Sequence, residues 1–113
     1  MVSEGSVTLP NGDTIEAGQG GSYCIGSDRY PVTIVGWTKS GKTIFYQAAK
    51  RARNDNNGAF SEAQSYLFWS NPKAPVQKAT WRTTRHGSFY RESRERTGFI
   101  HTSGYDAHFD PSF

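Results

Sequence analysis

The stretch that decides the fold runs from residue 30 to residue 48 and reads YPVTIVGWT, then KSGK, then TIFYQA. The two outer segments are rich in β-branched and aromatic residues, which favour extended backbone. The four residues between them contain Gly41, and glycine accepts the left-handed conformations that tight turns require. We therefore predict two strands, Tyr30–Thr38 and Thr43–Ala48, joined as a hairpin.

The same stretch spells a phosphate-binding loop. Residues Gly36 to Thr43 match G-x-x-x-x-G-K-[ST] letter for letter. That loop works where a helix begins directly after it and aims its backbone N–H groups at a phosphate. Here Ile44 to Gln47 alternate as a strand, and no apolar strand ending in Asp supplies a magnesium ligand. We reject the phosphate loop and expect only an exposed positive pair, Lys39 and Lys42, at a hairpin tip.

The rest of the chain also indicates strands and turns. No segment of about ten residues keeps a helical apolar period without Gly or Pro. Asn11-Gly12 between two extended runs is a strong hairpin signal, and Arg85–Ser88 marks a third hairpin. The further predicted strands are Val7–Leu9, Thr14–Glu16, Ser22–Gly26, Ser65–Ser70, Val76–Thr84 and Phe89–Ser93. The sequence thus predicts an all-β fold, a small antiparallel β-barrel or β-roll built from hairpins.

Length and composition fit this expectation. The 113 residues suit one domain, and 14% aromatic residues can fill a core although only 35% of residues are hydrophobic. We expect an N-terminal hairpin extension (1–17), a β core (22–96) and an aromatic-anchored tail (97–113). The single cysteine, Cys24, allows no intrachain disulfide and is expected to be buried. With no apolar run of membrane length and no signal peptide, we expect a cytoplasmic protein without membrane contact.

The net charge of +3 hides a strong asymmetry. Residues 1–49 carry three basic and four acidic groups, and residues 97–113 carry two acidic groups and no Lys or Arg. Residues 50–96 carry ten basic and four acidic groups, a local net charge of +6. Such a segment attracts anions, although a solvated, solubilising surface explains the same charge.

The hairpin around Arg85–Ser88 is the first candidate site. A three-residue turn would pair Trp81 with Arg91 and Arg82 with Tyr90, which would turn Trp81 and Phe89 toward the core. The opposite face would then expose Lys78, Arg82, Tyr90 and Arg94. Arginine can hold a phosphate in bidentate fashion and an aromatic ring can stack on a base. A solvated face stays open as the alternative, and a slip of one residue would exchange the two faces.

A second candidate is Ser27-Asp28-Arg29-Tyr30-Pro31, which lies at a strand entrance where a loop can aim Arg29 and Tyr30 into a cleft. The complete predicted ligand-binding set is Arg29, Tyr30, Lys42, Trp69, Lys78, Arg82, Arg85, Tyr90, Arg91 and Arg94. We predict no catalytic residues, no metal site and no cofactor. The three histidines match no established ligand spacing, and we expect Glu92 and Glu95 to be ion-paired with neighbouring arginines.

The segments SDRYPVTIV (27–35), SGKTI (40–44) and the closing DPSF (110–113) resemble a set of small phage-encoded accessory proteins. In that set an SDR-aromatic segment and an SGKTI hairpin precede a basic loop, an aromatic strand and a terminal DP-x-F. The similarity spans about residues 20–113 and leaves residues 1–17 outside. It implies a protein that acts in the cytoplasm of an infected bacterium, and it carries over no catalytic residues.

Three functions follow as hypotheses. The first is a non-enzymatic binder of a small anionic nucleotide-type ligand, such as an anti-defence sponge that sequesters a host immune signal. This step is an analogy with other accessory phage proteins, and it leaves a homo-oligomer open. The second is a single-stranded nucleic-acid-binding protein that uses the basic face, and the third is an inhibitor that docks on a host defence protein.

Overall fold

The computed structural model describes residues 2–25, 28–53, 66–85, 87–92, 98–102 and 104–105. Within these ranges the chain forms ten strands and no helix, so no helix there could span a membrane. The strands are β1 (Ser6–Thr8), β2 (Thr14–Glu16), β3 (Gly20–Ile25), β4 (Asp28–Trp37), β5 (Thr43–Ala48), β6 (Lys50–Arg53), β7 (Tyr66–Trp69), β8 (Gln77–Thr84), β9 (Gly87–Arg91) and β10 (Phe99–His101).

Six strands close into an antiparallel barrel. The order around the ring is β3, β4, β5, β8, β9 and β10, and β10 pairs with β3 to complete it. Closure gives each of these strands two hydrogen-bonded neighbours, which removes the exposed edges of an open sheet. The prediction of an all-β fold with a small antiparallel barrel is confirmed. The closing strand β10 lies within the segment 97–113.

Alternate residues along the barrel strands face the interior and form the core. Ile34, Ile44 and Tyr90 are fully buried there. A β-bulge interrupts the pairing of β4 with β5 between Ile34 and Gly36. Ile34 and Trp37 are three residues apart, so strict alternation would place them on opposite faces of the sheet. The extra residue in the bulge shifts the alternation by one, and both side chains therefore face the core.

The hairpin of β1 and β2 covers one end of the barrel. It is the hairpin predicted around Asn11-Gly12, and Val7 lies opposite Ile15 in it. Leu9 and Ile15 are buried in the barrel core, and Val2 exchanges two backbone hydrogen bonds with Trp37 at the end of β4. We call this the capped end, because apolar residues of the hairpin close it.

Polar contacts fasten the hairpin to the end of β10. The buried Thr102 hydroxyl donates to Asp13 Oδ2 at 2.6 Å and accepts from Asn11 Nδ2 at 3.0 Å. Gln19 Nε2 donates to the Thr102 carbonyl at 3.0 Å. These bonds satisfy polar groups that burial would otherwise penalise.

The turn between β4 and β5 is the hairpin predicted in place of a phosphate loop. The Thr38 N–H donates to the Thr43 carbonyl at 2.9 Å, and the Gly41 N–H donates to the Thr38 carbonyl at 2.8 Å. Gly41 has a φ of +74°, the left-handed region that glycine accepts without strain. A strand, not a helix, follows Thr43, and Lys39 and Lys42 are exposed.

The register predicted for the third hairpin is wrong by one residue. β8 and β9 pair Trp81 with Tyr90 and Arg82 with Phe89, because only two residues separate Thr84 from Gly87. The shorter turn exchanges the faces of β9. Tyr90, predicted on the exposed face, is fully buried in the barrel, and Phe89, predicted in the core, lies on the outer surface. Trp81 faces inward as predicted and packs edge-on against Tyr90 at 5.0 Å.

Strands β6 and β7 form a separate two-stranded arm between β5 and β8. β5 pairs directly with β8, so the arm leaves the barrel after Ala48 and returns at Gln77. The Gln47 side chain ties down the returning segment, since its Nε2 donates to the carbonyls of Pro72 and Ala74 at 3.1 and 2.7 Å.

The buried Tyr90 hydroxyl donates to the Gly41 carbonyl at 2.5 Å and so joins β9 to the β4–β5 turn. Burial raises the pKa of Tyr90 well above its ordinary value, and the nearby charge of Asp13 raises it further. The folded protein therefore holds this proton more tightly than the unfolded chain does.

We expect Tyr90→Phe to lower the free energy of unfolding by about 1–3 kcal/mol near neutral pH, because a buried carbonyl loses its donor. The difference between wild type and variant should shrink as pH rises above about 10, where the unfolded tyrosine ionises and the folded one does not. Urea denaturation across that pH range measures both values. A difference that stays constant with pH would contradict the buried, protonated tyrosine.

Candidate functional site

Three rings lie next to one another on the outside of β9 and β10. Tyr90 and Ile100 face the interior, so Phe89, Phe99 and His101 face outward by strand alternation. The Phe89 and Phe99 ring centroids are 5.1 Å apart, and those of Phe99 and His101 are 5.2 Å apart. Both phenylalanines are partly exposed and His101 is exposed. The three rings form a ladder about two strands wide on a convex surface.

Arginines border this ladder. Arg82 lies directly opposite Phe89 in the β8–β9 pair. The antiparallel pairing of Ile100 with Tyr90 sets Arg91 across from Phe99. Lys78 lies on the outer side of β8, four residues before Arg82, and is exposed. We call Arg82, Phe89, Arg91, Phe99 and His101 the outer face.

Arg82 is a partly buried side chain on the outer side of β8. Its Nε atom is closed to solvent and has no hydrogen-bond partner among the described residues. An anion on the outer surface would therefore meet the terminal guanidinium nitrogens, which can hold phosphate oxygens.

A pocket opens at the barrel end opposite the cap. Its volume is about 330 Å³, which lies at the small end of the range for ligand sites. We call it the tyrosine pocket. Its lining is Tyr23, Tyr30, Pro31, Val32, Tyr46, Ala48, Gln77 and Glu92.

The polar groups of the tyrosine pocket are held in place. The Tyr46 hydroxyl donates to Glu92 Oε1, and Gln77 Oε1 lies 3.3 Å from the same hydroxyl. A tyrosine hydroxyl has one proton, so these two oxygens share a single donor. Gly98 packs against the Tyr23 ring so closely that an added Cβ would lie 2.2 Å from Tyr23 Oη.

The arm touches the barrel beside this pocket. The Arg51 guanidinium lies 6.0 Å from the centroid of the Tyr30 ring, a cation–π distance. Phe68, directly opposite Arg51 in the arm, stacks on Tyr105 at 5.5 Å. Tyr105 in turn covers Gly20 and shares a hydrogen bond of 2.7 Å with Thr33.

The structure separates the predicted site residues into several places. Tyr30 lines the tyrosine pocket, and Arg29 precedes it on the outer side of β4. Arg82 and Arg91 share the outer face with Lys78 beside it. The exposed Lys42 and Arg85 lie in turns at the capped end, and Trp69 is 46% exposed on the arm. Tyr90 belongs to the core, and Arg94 lies outside the described residues.

Sequence reasoning missed Phe99 and His101 because it took residues 97–113 as a tail and placed no strand there. The alternation of Phe99, Ile100 and His101 was the signal that could have found them. It also missed Tyr23, Tyr46 and Gln77, which lie on three strands and meet only in the assembled sheet. Glu92 accepts a hydrogen bond from Tyr46, and its ion pair with a neighbouring arginine stays a prediction.

Cys24 is buried as predicted, and its thiol lies 3.8 Å from the Ser22 hydroxyl. Within the described part of the chain, no three His, Cys, Asp or Glu side chains are grouped so as to hold a metal ion. Comparison with protein-family models, with curated proteins and with solved structures finds no match to this chain.

The contact of Gly98 with Tyr23 can be tested by a double-mutant cycle. We expect Gly98→Ala to lower the free energy of unfolding by about 1–3 kcal/mol, because the new methyl group displaces the ring. On a Tyr23→Ala background the same change should cost much less, since the obstructing ring is gone. Urea denaturation of the four proteins gives the coupling.

Gly20→Ala is the matched control, because its Cβ would meet the Tyr105 ring at 2.6 Å instead. Gly20→Ala should lower the free energy of unfolding by the same amount on the Tyr23→Ala background as in the wild type. If Tyr23→Ala reduced the cost of both glycine substitutions equally, the coupling would not be specific to the contact between Gly98 and Tyr23.

Proposed function

We propose that the chain is a non-enzymatic, single-stranded nucleic-acid-binding protein that uses the outer face. The observation that carries this proposal is the ladder of Phe89, Phe99 and His101 bordered by Arg82 and Arg91. Proteins that bind single strands combine stacking rings with cationic groups that follow the backbone. Phosphates contribute sequence-independent affinity, and each ring offers a surface for any base.

The location of the arginines favours an extended ligand over a compact one. Arg82 and Arg91 lie on a convex strip and not in the cavity. The described residues that line the tyrosine pocket include Glu92 and no Lys or Arg. A small polyanion held by several arginines would need them to converge on one cavity. A nucleic-acid strand that lies across the barrel needs arginines in succession along the surface.

Two further parts of the proposal rest on the sequence. The local charge of +6 in residues 50–96 supports a polyanionic partner through long-range attraction. Under the resemblance to phage accessory proteins, the expected setting is the cytoplasm of an infected bacterium.

Fluorescence anisotropy with a labelled oligothymidine of about 12 nucleotides tests the proposal. The logarithm of the association constant should fall linearly with the logarithm of the salt concentration. Arg82→Gln should reduce the steepness of that line by about 0.7, the value for one lost contact to a single strand. Lys39→Gln removes the same charge at the capped end and should leave the slope nearly unchanged.

Phe99→Leu should act differently from the arginine variant. The loss of one stacking ring should weaken binding by about 1–3 kcal/mol at every salt concentration and leave the slope unchanged. Thermal melting of each variant verifies that it is folded. No binding by the folded wild type, or equal effects of Lys39→Gln and Arg82→Gln, would overturn the proposal.

A further inference from the structure

We propose that a bound single strand runs along β8, with its phosphates over that strand and its bases turned toward rings on both neighbouring strands. The inference rests on the proposed function and deepens it, because it names the path of the nucleic-acid backbone. It adds Phe45, Lys78 and Thr80 to the residues that meet the ligand, and it narrows the ligand to nucleic acid with unpaired bases.

The outer side of β8 carries a row of polar side chains. Ala79 and Trp81 pack in or against the core of the barrel. Strand alternation therefore turns Lys78, Thr80 and Arg82 outward. Lys78 is exposed, and the other two are partly exposed. Neighbouring members of this row lie about 6.8 Å apart, because a strand rises about 3.4 Å per residue. We call these three residues the β8 row.

Phe45 places a ring on the side of β8 that faces away from β9. β5 and β9 are the two neighbours of β8 in the barrel. Ile44 and Tyr46 of β5 are buried in the core, so Phe45 between them faces outward, where it is partly exposed. Its partner on β4 is Gly36, which has no side chain that could cover the ring.

The two cations of the β8 row each lie opposite a ring, but on different sides. Lys78 lies opposite Phe45 of β5, and Arg82 lies opposite Phe89 of β9. Each ring is therefore about one strand spacing, about 4.8 Å, from the line of the row. A base projects sideways from its sugar and phosphate. A backbone that follows β8 therefore carries its bases over β5 and β9.

Thr80 continues the row between the two cations. Its hydroxyl lies 3.1 Å from the hydroxyl of Thr43, and the two share one hydrogen bond. One hydroxyl of the pair uses its proton in that bond, and the other keeps a proton for a different acceptor. Phosphate oxygens commonly accept hydrogen bonds from threonine. The β8 row thus offers a cation, a hydroxyl and a second cation in succession.

Rings on both sides of one line of cations favour a single strand over a duplex. A duplex turns the bases of each strand toward the partner strand, so its outer surface offers phosphates to the cations and no base face to the rings. An unpaired strand can meet the cations and the rings at the same time. The preference for unpaired bases therefore depends on the rings.

Fluorescence anisotropy with labelled oligothymidine of about 12 nucleotides tests the path. We expect Phe45→Leu to weaken binding about fivefold or more at every salt concentration, because it removes a stacking ring. Lys78→Gln should instead lower the steepness of the salt dependence by about 0.7, the value for one lost phosphate contact. The duplex of the same strand with its complement should bind about tenfold more weakly or worse, since it loses the stacking on both sides.

Matched controls assign these effects to the β8 row and its rings. Phe68→Leu makes the same change at a partly exposed phenylalanine on the arm and should leave the affinity nearly unchanged. Lys39→Gln removes one positive charge at the capped end and should leave the salt slope nearly unchanged. Thermal melting verifies that each variant is folded.

Photocrosslinking of the wild type locates the strand without any variant. Oligothymidine with one 5-iodouracil near its middle should crosslink on irradiation both to Phe45 and to a ring of β9 or β10, as identified by mass spectrometry. Crosslinks confined to β9 and β10 would show that the strand does not follow β8.

The outcomes separate this inference from the proposed function. If oligothymidine binds and Arg82→Gln lowers the salt slope, while Phe45→Leu and Lys78→Gln behave like their controls, the outer face binds but the path along β8 is wrong. Duplex binding as tight as that of the single strand would also overturn the path. No binding of oligothymidine by the folded wild type would overturn the proposed function and the path together.

Discussion

The inward position of Tyr90 is the constraint on which the rest of the structure depends. Its ring packs against Trp81 in the core, and its hydroxyl reaches across the barrel to the Gly41 carbonyl. Strand alternation then determines the direction of every neighbour on β9. Phe89 and Arg91 must face outward, and Glu92 lies at the end of the strand beside the open mouth. A single buried aromatic residue thus fixes which side chains of β9 lie on the outer face.

The two sites are products of one barrel with two different ends. The hairpin of β1 and β2 fills the capped end with Leu9 and Ile15. At the other end residues of four strands, together with Glu92 directly after β9, surround the remaining space, and three of them are tyrosines. The tyrosine pocket therefore lies at the end that the hairpin leaves uncovered, while the outer face lies on the side of the barrel.

Local signals in the sequence were sufficient for the hairpins but not for the sites. Asn11-Gly12 and Ser40-Gly41 specify turns through backbone preferences that operate within four residues. The register of β8 with β9 depended on whether the turn has two residues or three, and one residue exchanges the two faces. Tyr23, Tyr46 and Gln77 come from three strands, so only assembly of the sheet brings them together. No local pattern contains that information.

The position of the arm has a consequence for how such a protein can change. The chain leaves the barrel and returns to it at neighbouring strands, which pair through Tyr46 and Gln77 whether or not anything lies between. The arm is thus an insertion whose ends the scaffold already holds together. Doubling the length of a flexible loop adds only about 0.6 kcal/mol to its closure. Selection can therefore lengthen, shorten or replace this segment, and alter what lies beside the open end, while the barrel that supports it stays the same.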